Sequence, residues 1–114
     1  NSDTTYIWGN ISDKEKINEM LKTYIEKYYN PENDKQEWFD NIKNLSEEFG
    51  YAREVKEYKQ EPEKWSGHVG DVSTIIRVAL TGRQNTPDLY EIMNVLGKDS
   101  ILKRIDKIIG QRYN

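Results

Sequence analysis

Arg77 and Arg83 stand on either side of Gly82, and Thr86, Pro87, Leu89 and Tyr90 follow within one short stretch. Together they offer two planar guanidinium forks, a hydroxyl, a rigid apolar ring, a branched alkyl group and a phenol. Single-stranded RNA is read with such groups: bases are splayed out, stacked on flat side chains and hydrogen-bonded along their edges from loops and helix starts. The segment 75–93, IIRVALTGRQNTPDLYEIM, thus carries chemistry suited to base recognition. A structural reading competes with it, in which Arg77 pairs with a carboxylate, Leu89 joins the core and Thr86 only caps a helix. Docking of a partner helix in an aromatic-rich groove is a third reading of the same residues. Residue types and spacing leave the three open.

Catalysis within the chain has less to stand on. Its acid–base candidates are dispersed carboxylates, tyrosines and His68, with no nucleophile, base and orienting group at a recognisable spacing. His68 lies between Gly67 and Gly70 in an expected loop, where an exposed or capping role outweighs catalysis. There is no cysteine and a single histidine, so disulfides, thiolate sites and a structural zinc site are excluded, and no metal ligands are assigned.

At 114 residues the chain has room for one domain with one core. Only 35% of residues are hydrophobic and 32% are charged, but eight Tyr and three Trp add large apolar area, which favours a folded domain over disorder. The net charge of −3 conceals an asymmetry. Residues 1–60 carry 13 acids and 9 bases, whereas residues 61–114 carry 7 acids and 8 bases. An anionic partner is therefore expected to meet the second half. No apolar run approaches the roughly 20 residues of a membrane helix, and the start of the chain lacks signal-peptide order, so a cytoplasmic protein with no membrane contact is expected. The chain begins without Met, which reads as a cut from something longer.

Six helices are expected to position these groups. Ser12 and Glu15 suggest a capping box opening a helix to about Tyr29, with Ile17, Met20, Leu21, Tyr24, Ile25 and Tyr28 on one face. Asn30-Pro31 ends it. Asn33 and Gln36 suggest a second box, followed by an apolar stripe of Trp38, Phe39, Ile42, Leu45 and Phe49 and a stop at Gly50. A short helix over 51–59 precedes the loop around His68. Gly70 or Asp71 then opens a helix to about Leu80 whose β-branched run follows helical steps. Thr86 and Pro87 fit the cap and first position of the next helix, Gly97 its close, and Asp99 or Ser100 the cap of a last helix to about Ile109. Lys103, Arg104, Lys107 and Arg112 cluster on that final segment.

Residues 55–105, from VKEYKQ through RVALTGR, TPDLYEIM and LGKDSILKRI, resemble the C-terminal anticodon-binding portion of bacterial glutamyl-tRNA synthetases, which are class I enzymes. The resemblance implies an all-α fold, a compact cage of about six helices forming a single domain over 1–114. Residues 1–50 would be its upstream helical part and 51–114 its anticodon-reading part. It implies that Arg77, Thr86, Pro87, Leu89 and Tyr90 contact anticodon bases, and that Arg83 contacts a phosphate or base. The partners implied are the tRNA for glutamate, with the tRNA for glutamine as a second candidate, and a catalytic domain of the same chain. Segments resembling HIGH and KMSKS are absent from these residues. Adenylation of glutamate with ATP and Mg would therefore belong to the full-length enzyme, and this part would bind without catalysing and hold no cofactor. A helical interaction module derived from that domain is the alternative.

Overall fold

The computed structural model describes residues 8, 13–84, 86 and 88–110. Its helices run α1 Lys14–Thr23, α2 Lys35–Glu48, α3 Val55–Gln60, α4 Val69–Thr81 and α5 Leu89–Gly110. Among the described residues there is no strand; one isolated parallel bridge joins Ala52 to His68. No helix among them is long and apolar enough to cross a membrane.

α4 is the centre of the architecture, packing against α1, α2 and α5. Its sequence explains this position, because Val69, Val72, Ile75, Ile76, Val78, Ala79 and Leu80 cover most of its circumference and all are buried. A helix that is apolar nearly all round is driven inside, while an amphipathic one stays at the surface. α1 contributes Ile17, Met20 and Leu21, α2 contributes Ile42 and Leu45, and α5 contributes Leu89, Met93, Ile101, Ile105 and Ile108. α3 buries none of its residues. The β-branched run of α4 is helical, as its period of three and four requires.

Several helix starts fall a residue or two from their expected places. Asp13 caps α1, accepting from the Glu15 and Lys16 amides at 3.0 and 3.4 Å; Ser12 lies outside the described residues. The box that opens α2 is Asp34 with Glu37, not Asn33 with Gln36: the Asp34 carboxylate accepts from the Glu37 amide and the Glu37 carboxylate from the Asp34 amide. A carboxylate accepts more strongly than a side-chain amide and also favours the positive end of the helix dipole. α4 opens at Val69, one residue before Gly70 and two before Asp71, with His68 as cap. Its Nδ1 accepts from the Gly70 amide at 2.9 Å, and Asp71 accepts from the His68 amide at 3.1 Å. His68 therefore does structural work, as its place in the loop suggested.

The end of α1 widens into a π turn over Tyr24–Tyr28, closed by the Tyr29 amide donating to the Tyr24 carbonyl at 2.7 Å. Tyr24 is buried there, and burial pushes its phenol well above the ordinary tyrosine range. α2 and α4 end on Gly50 and Gly82, both with positive φ. The expected break at Gly97 is present as a kink, with φ 81° and ψ 162°, a region open essentially to glycine alone. Asp99 and Ser100 follow it in the second helical segment, where the Ser100 hydroxyl accepts from Arg104 Nε at 3.2 Å. The last two expected helices are thus both present within α5, divided at the non-helical Gly97.

Candidate nucleic-acid interface

An open groove of about 800 Å³ lies where the start of α2, the outward stripe of α4 and the start of α5 converge. Lys35, Trp38 and Phe39 form one wall, Ser73 and Arg77 the second, and Asp88 and Leu89 the third. Ser73 and Arg77 are one helical turn apart, so both project from the narrow face of α4 that the core leaves uncovered. Leu89 is 2% exposed and forms apolar floor.

Arg77 is the unusual member. Its Nε is buried without a hydrogen-bond partner, and none of the ion pairs among the described residues involves it. The carboxylate partner that a purely structural arginine would have is not there. A buried, unpaired donor on a charged group is costly, and such exceptions mark a position to explain. The nearby charges are already committed: Lys35 Nζ pairs with Asp88, joining the first turn of α2 to the start of α5 across the groove mouth. The hydrogen bond from Lys35 holds the Asp88 carboxyl below its ordinary pKa, and the same bond raises that of Lys35.

Asp88 also caps α5, accepting from the Tyr90 amide at 3.0 Å while its carbonyl accepts from the Ile92 amide. Thr86, expected in that role, is a partly buried loop residue two positions earlier, and Pro87 lies outside the described residues. A capping carboxylate immediately before Leu89 displaces the threonine because it serves both the helix amides and Lys35. Tyr90 does not offer a free hydroxyl. Its ring packs edge-on against Trp38 at 5.5 Å, and its hydroxyl donates to the Asn33 carbonyl at 3.0 Å. Arg83 is exposed on the turn after Gly82 and is not in the groove wall; its amide donates to the Thr81 hydroxyl at 3.1 Å. The structure thus brings together Arg77, Leu89 and, behind Trp38, Tyr90, and sets Arg83 apart.

The sequence reading missed Lys35, Trp38, Phe39 and Asp88. Trp38 and Phe39 were expected in the core, but only Ile42 and Leu45 of that stripe are fully buried, and Phe39 is 36% exposed. Adjacent helix residues point about 100° apart, and here Trp38 packs partly against the core while Phe39 turns to the groove. Their rings lie 6.2 Å apart and 26° from parallel, giving the groove a nearly continuous aromatic wall. Trp38 is anchored by its indole N–H, which donates to Met93 Sδ at 3.2 Å. The groove brings planar apolar surface together with the Arg77 side chain, whose Nε has no hydrogen-bond partner among the described residues. That combination takes a flat group with acceptor edges by stacking and hydrogen bonding together. Among the described residues no cluster of three metal-ligating side chains occurs.

Comparison with known proteins supplies the family. A family model described as the anticodon binding domain matches residues 8–109, nearly the whole chain. The chain belongs to the anticodon binding domain family. Among curated relatives, the glutamate–tRNA ligase of Acetivibrio thermocellus is 42% identical over 97 residues, covering 85% of this chain and 18% of that protein. The enzyme of the same name from Sorangium cellulosum is 44% identical over 93 residues, covering 82% and 15%. That of Clostridium perfringens strain SM101 is 38% identical over 118 residues, covering 92% and 21%. The chain spans about a fifth or less of the length of these relatives. No solved structure matches it. Membership in the family agrees with the helical, strand-free fold and places the groove on a domain type defined by anticodon binding.

Proposed function

We propose that this chain is the anticodon-reading part of a glutamate–tRNA ligase and that the groove beside Arg77 seats unstacked bases of the anticodon loop. The observation that carries this reading is Arg77, whose buried Nε has no hydrogen-bond partner among the described residues, lining one groove with Trp38 and Phe39. An incoming base would supply the missing acceptor, and Phe39 would stack against it or flank it. Thr86 and Arg83, on the loop between α4 and α5, would meet the same RNA strand from the side, and Pro87, outside the described residues, is proposed as a further contact. Leu89 and Tyr90 would serve from beneath: Leu89 as apolar floor and Tyr90 by fixing Trp38.

In the whole enzyme, working in the cytoplasm, a catalytic domain of the same chain would use ATP and Mg to attach glutamate. This part would contribute specificity through binding energy, not bond chemistry. The tRNA for glutamate is the partner, and the tRNA for glutamine tests whether the reading is selective.

Arg77→Ala is the direct test. Loss of a base contact of this kind costs about 1–3 kcal/mol. Binding to a glutamate anticodon loop should therefore fall by at least several-fold, with loss of preference over other anticodons, while thermal unfolding shows the fold intact. Unchanged affinity and unchanged preference would remove Arg77 from recognition and favour docking of a protein helix in the groove.

A further inference from the structure

A second groove, about 520 Å³, opens where the end of α4 meets α5 beyond its kink. Leu80 and Gly82 line one side and Ser100, Lys103, Arg104 and Lys107 the other, with no carboxylate in the lining. Arg104 is built into the fold. Its Nη1 donates to the Leu80 carbonyl at 2.8 Å and its Nε to the Ser100 hydroxyl at 3.2 Å. It thereby satisfies a carbonyl at the negative end of α4 that would otherwise repel an anion. Thr81 covers another, its hydroxyl donating to the Arg77 carbonyl at 2.8 Å.

Lys103 and Lys107 are different. They sit one turn apart on the same face of α5, both are exposed, and neither takes part in an ion pair among the described residues. Asp99 and Asp106, the acids on this part of α5, do not line the groove. A concave surface with two unpaired ammonium groups and a fixed guanidinium that covers the Leu80 carbonyl attracts anions. Its apolar lining is too limited to favour a hydrophobic segment.

We propose that this groove binds the sugar–phosphate backbone of the RNA whose bases enter the groove beside Arg77. The proposal rests on the recognition reading above but assigns a separate, sequence-independent contact. The Gly82 turn, which carries Arg83, connects the two surfaces, so a strand leaving the base groove along this turn meets cations at each step. Lysine as a mobile point charge suits a phosphate, whereas the planar fork of Arg77 suits a base edge.

The test uses this chain unaltered, Lys103→Gln/Lys107→Gln, and Arg77→Ala, each titrated with two RNA hairpins across a salt series. One hairpin carries the loop of a glutamate tRNA and the other the same loop without its bases. Each phosphate contact contributes about −0.7 to the log–log salt slope. The double lysine variant should therefore shallow the slope by about 1.4, and its loss of affinity should be about sevenfold smaller at roughly 200 mM salt than at roughly 50 mM. The same change should appear with the baseless loop. Arg77→Ala should abolish the advantage of the normal loop over the baseless one.

An unchanged slope in the double variant, with its melting temperature intact, overturns the phosphate groove and leaves the reading of the Arg77 groove standing. A shallower slope with no base preference in the unaltered chain overturns the recognition reading and keeps the phosphate groove. No binding of either hairpin by the unaltered chain overturns both. A polyglutamate peptide that competes as well as the baseless hairpin assigns the groove to acidic polypeptide instead.

Discussion

The two grooves that flank α4 differ in what they leave unsatisfied. The groove at the starts of α2 and α5 has an aromatic wall, an apolar floor, an ion pair at its mouth and one buried donor without a partner. The groove at the end of α4 has a satisfied framework and surplus mobile charge. The first is short of a directional acceptor, which selects among ligands by geometry. The second is short of negative charge, which any phosphate can supply. On the proposed reading, specificity and affinity would fall to different surfaces, as protein–nucleic acid contacts generally divide between base edges and backbone.

The largest break in this contrast should come from Leu89→Ala. Removing a fully buried leucine costs about 2–5 kcal/mol of stability, and the cavity would lie under the first groove and beside the cap of α5. Chemical denaturation should show the loss. If the two surfaces are independent, the remaining folded protein should keep its salt-dependent RNA affinity while losing base preference.

Phe39→Ala acts on the exposed wall and should cost little stability. Loss of stacking should weaken binding by about 1–3 kcal/mol, equally at low and high salt, because no charge is removed. A salt-dependent loss would blur the division between the grooves.

Tyr90→Phe is milder still. It deletes the hydrogen bond to the Asn33 carbonyl, worth about 0.5–1.5 kcal/mol, while keeping the ring against Trp38. A modest fall in thermal stability with RNA affinity nearly unchanged would assign the hydroxyl to support. A larger fall in affinity than in stability would mean that the hydroxyl turns to the RNA.

Acid gives the smallest and most local difference. Asp88, the one carboxylate lining either groove, is held below its ordinary pKa first by the bond from Lys35. Its contribution is fully present above the ordinary carboxylate range and is lost as pH falls through the depressed folded value. The Tyr90 amide resonance should titrate with that low midpoint, and Asp88→Asn should remove the transition. Amides of Ser100 to Lys107 that line the second groove should not report it.

Much of the fold was legible because helical periodicity and turn residues are local signals. The apolar run of α4, the stops at Gly50 and Gly82 and the bend at Gly97 are all written in short stretches. Helix starts were less legible, since Ser12, Asp13, Asn33 and Asp34 are neighbouring residues that can all cap. Which one does so depends on where the first turn meets the rest of the domain. The groove was only half legible. Arg77 and its following loop stood out by residue type, but Lys35, Trp38 and Phe39 come from a helix some forty residues earlier, and Trp38 and Phe39 read as ordinary core.

The sequence alone determined that this is a helical fold and that the run forming α4 is a helix and not a strand, because its apolar residues follow helical steps; its place at the centre came from packing. Its composition also determined which groups could meet RNA. Only the tertiary structure decided that Arg77 Nε has no hydrogen-bond partner among the described residues, that Asp88 rather than Thr86 caps α5, and that Tyr90 packs against Trp38. Those facts depend on distances between residues far apart in the chain. A side chain's availability is what remains after its neighbours are satisfied, and neighbours are assigned by packing.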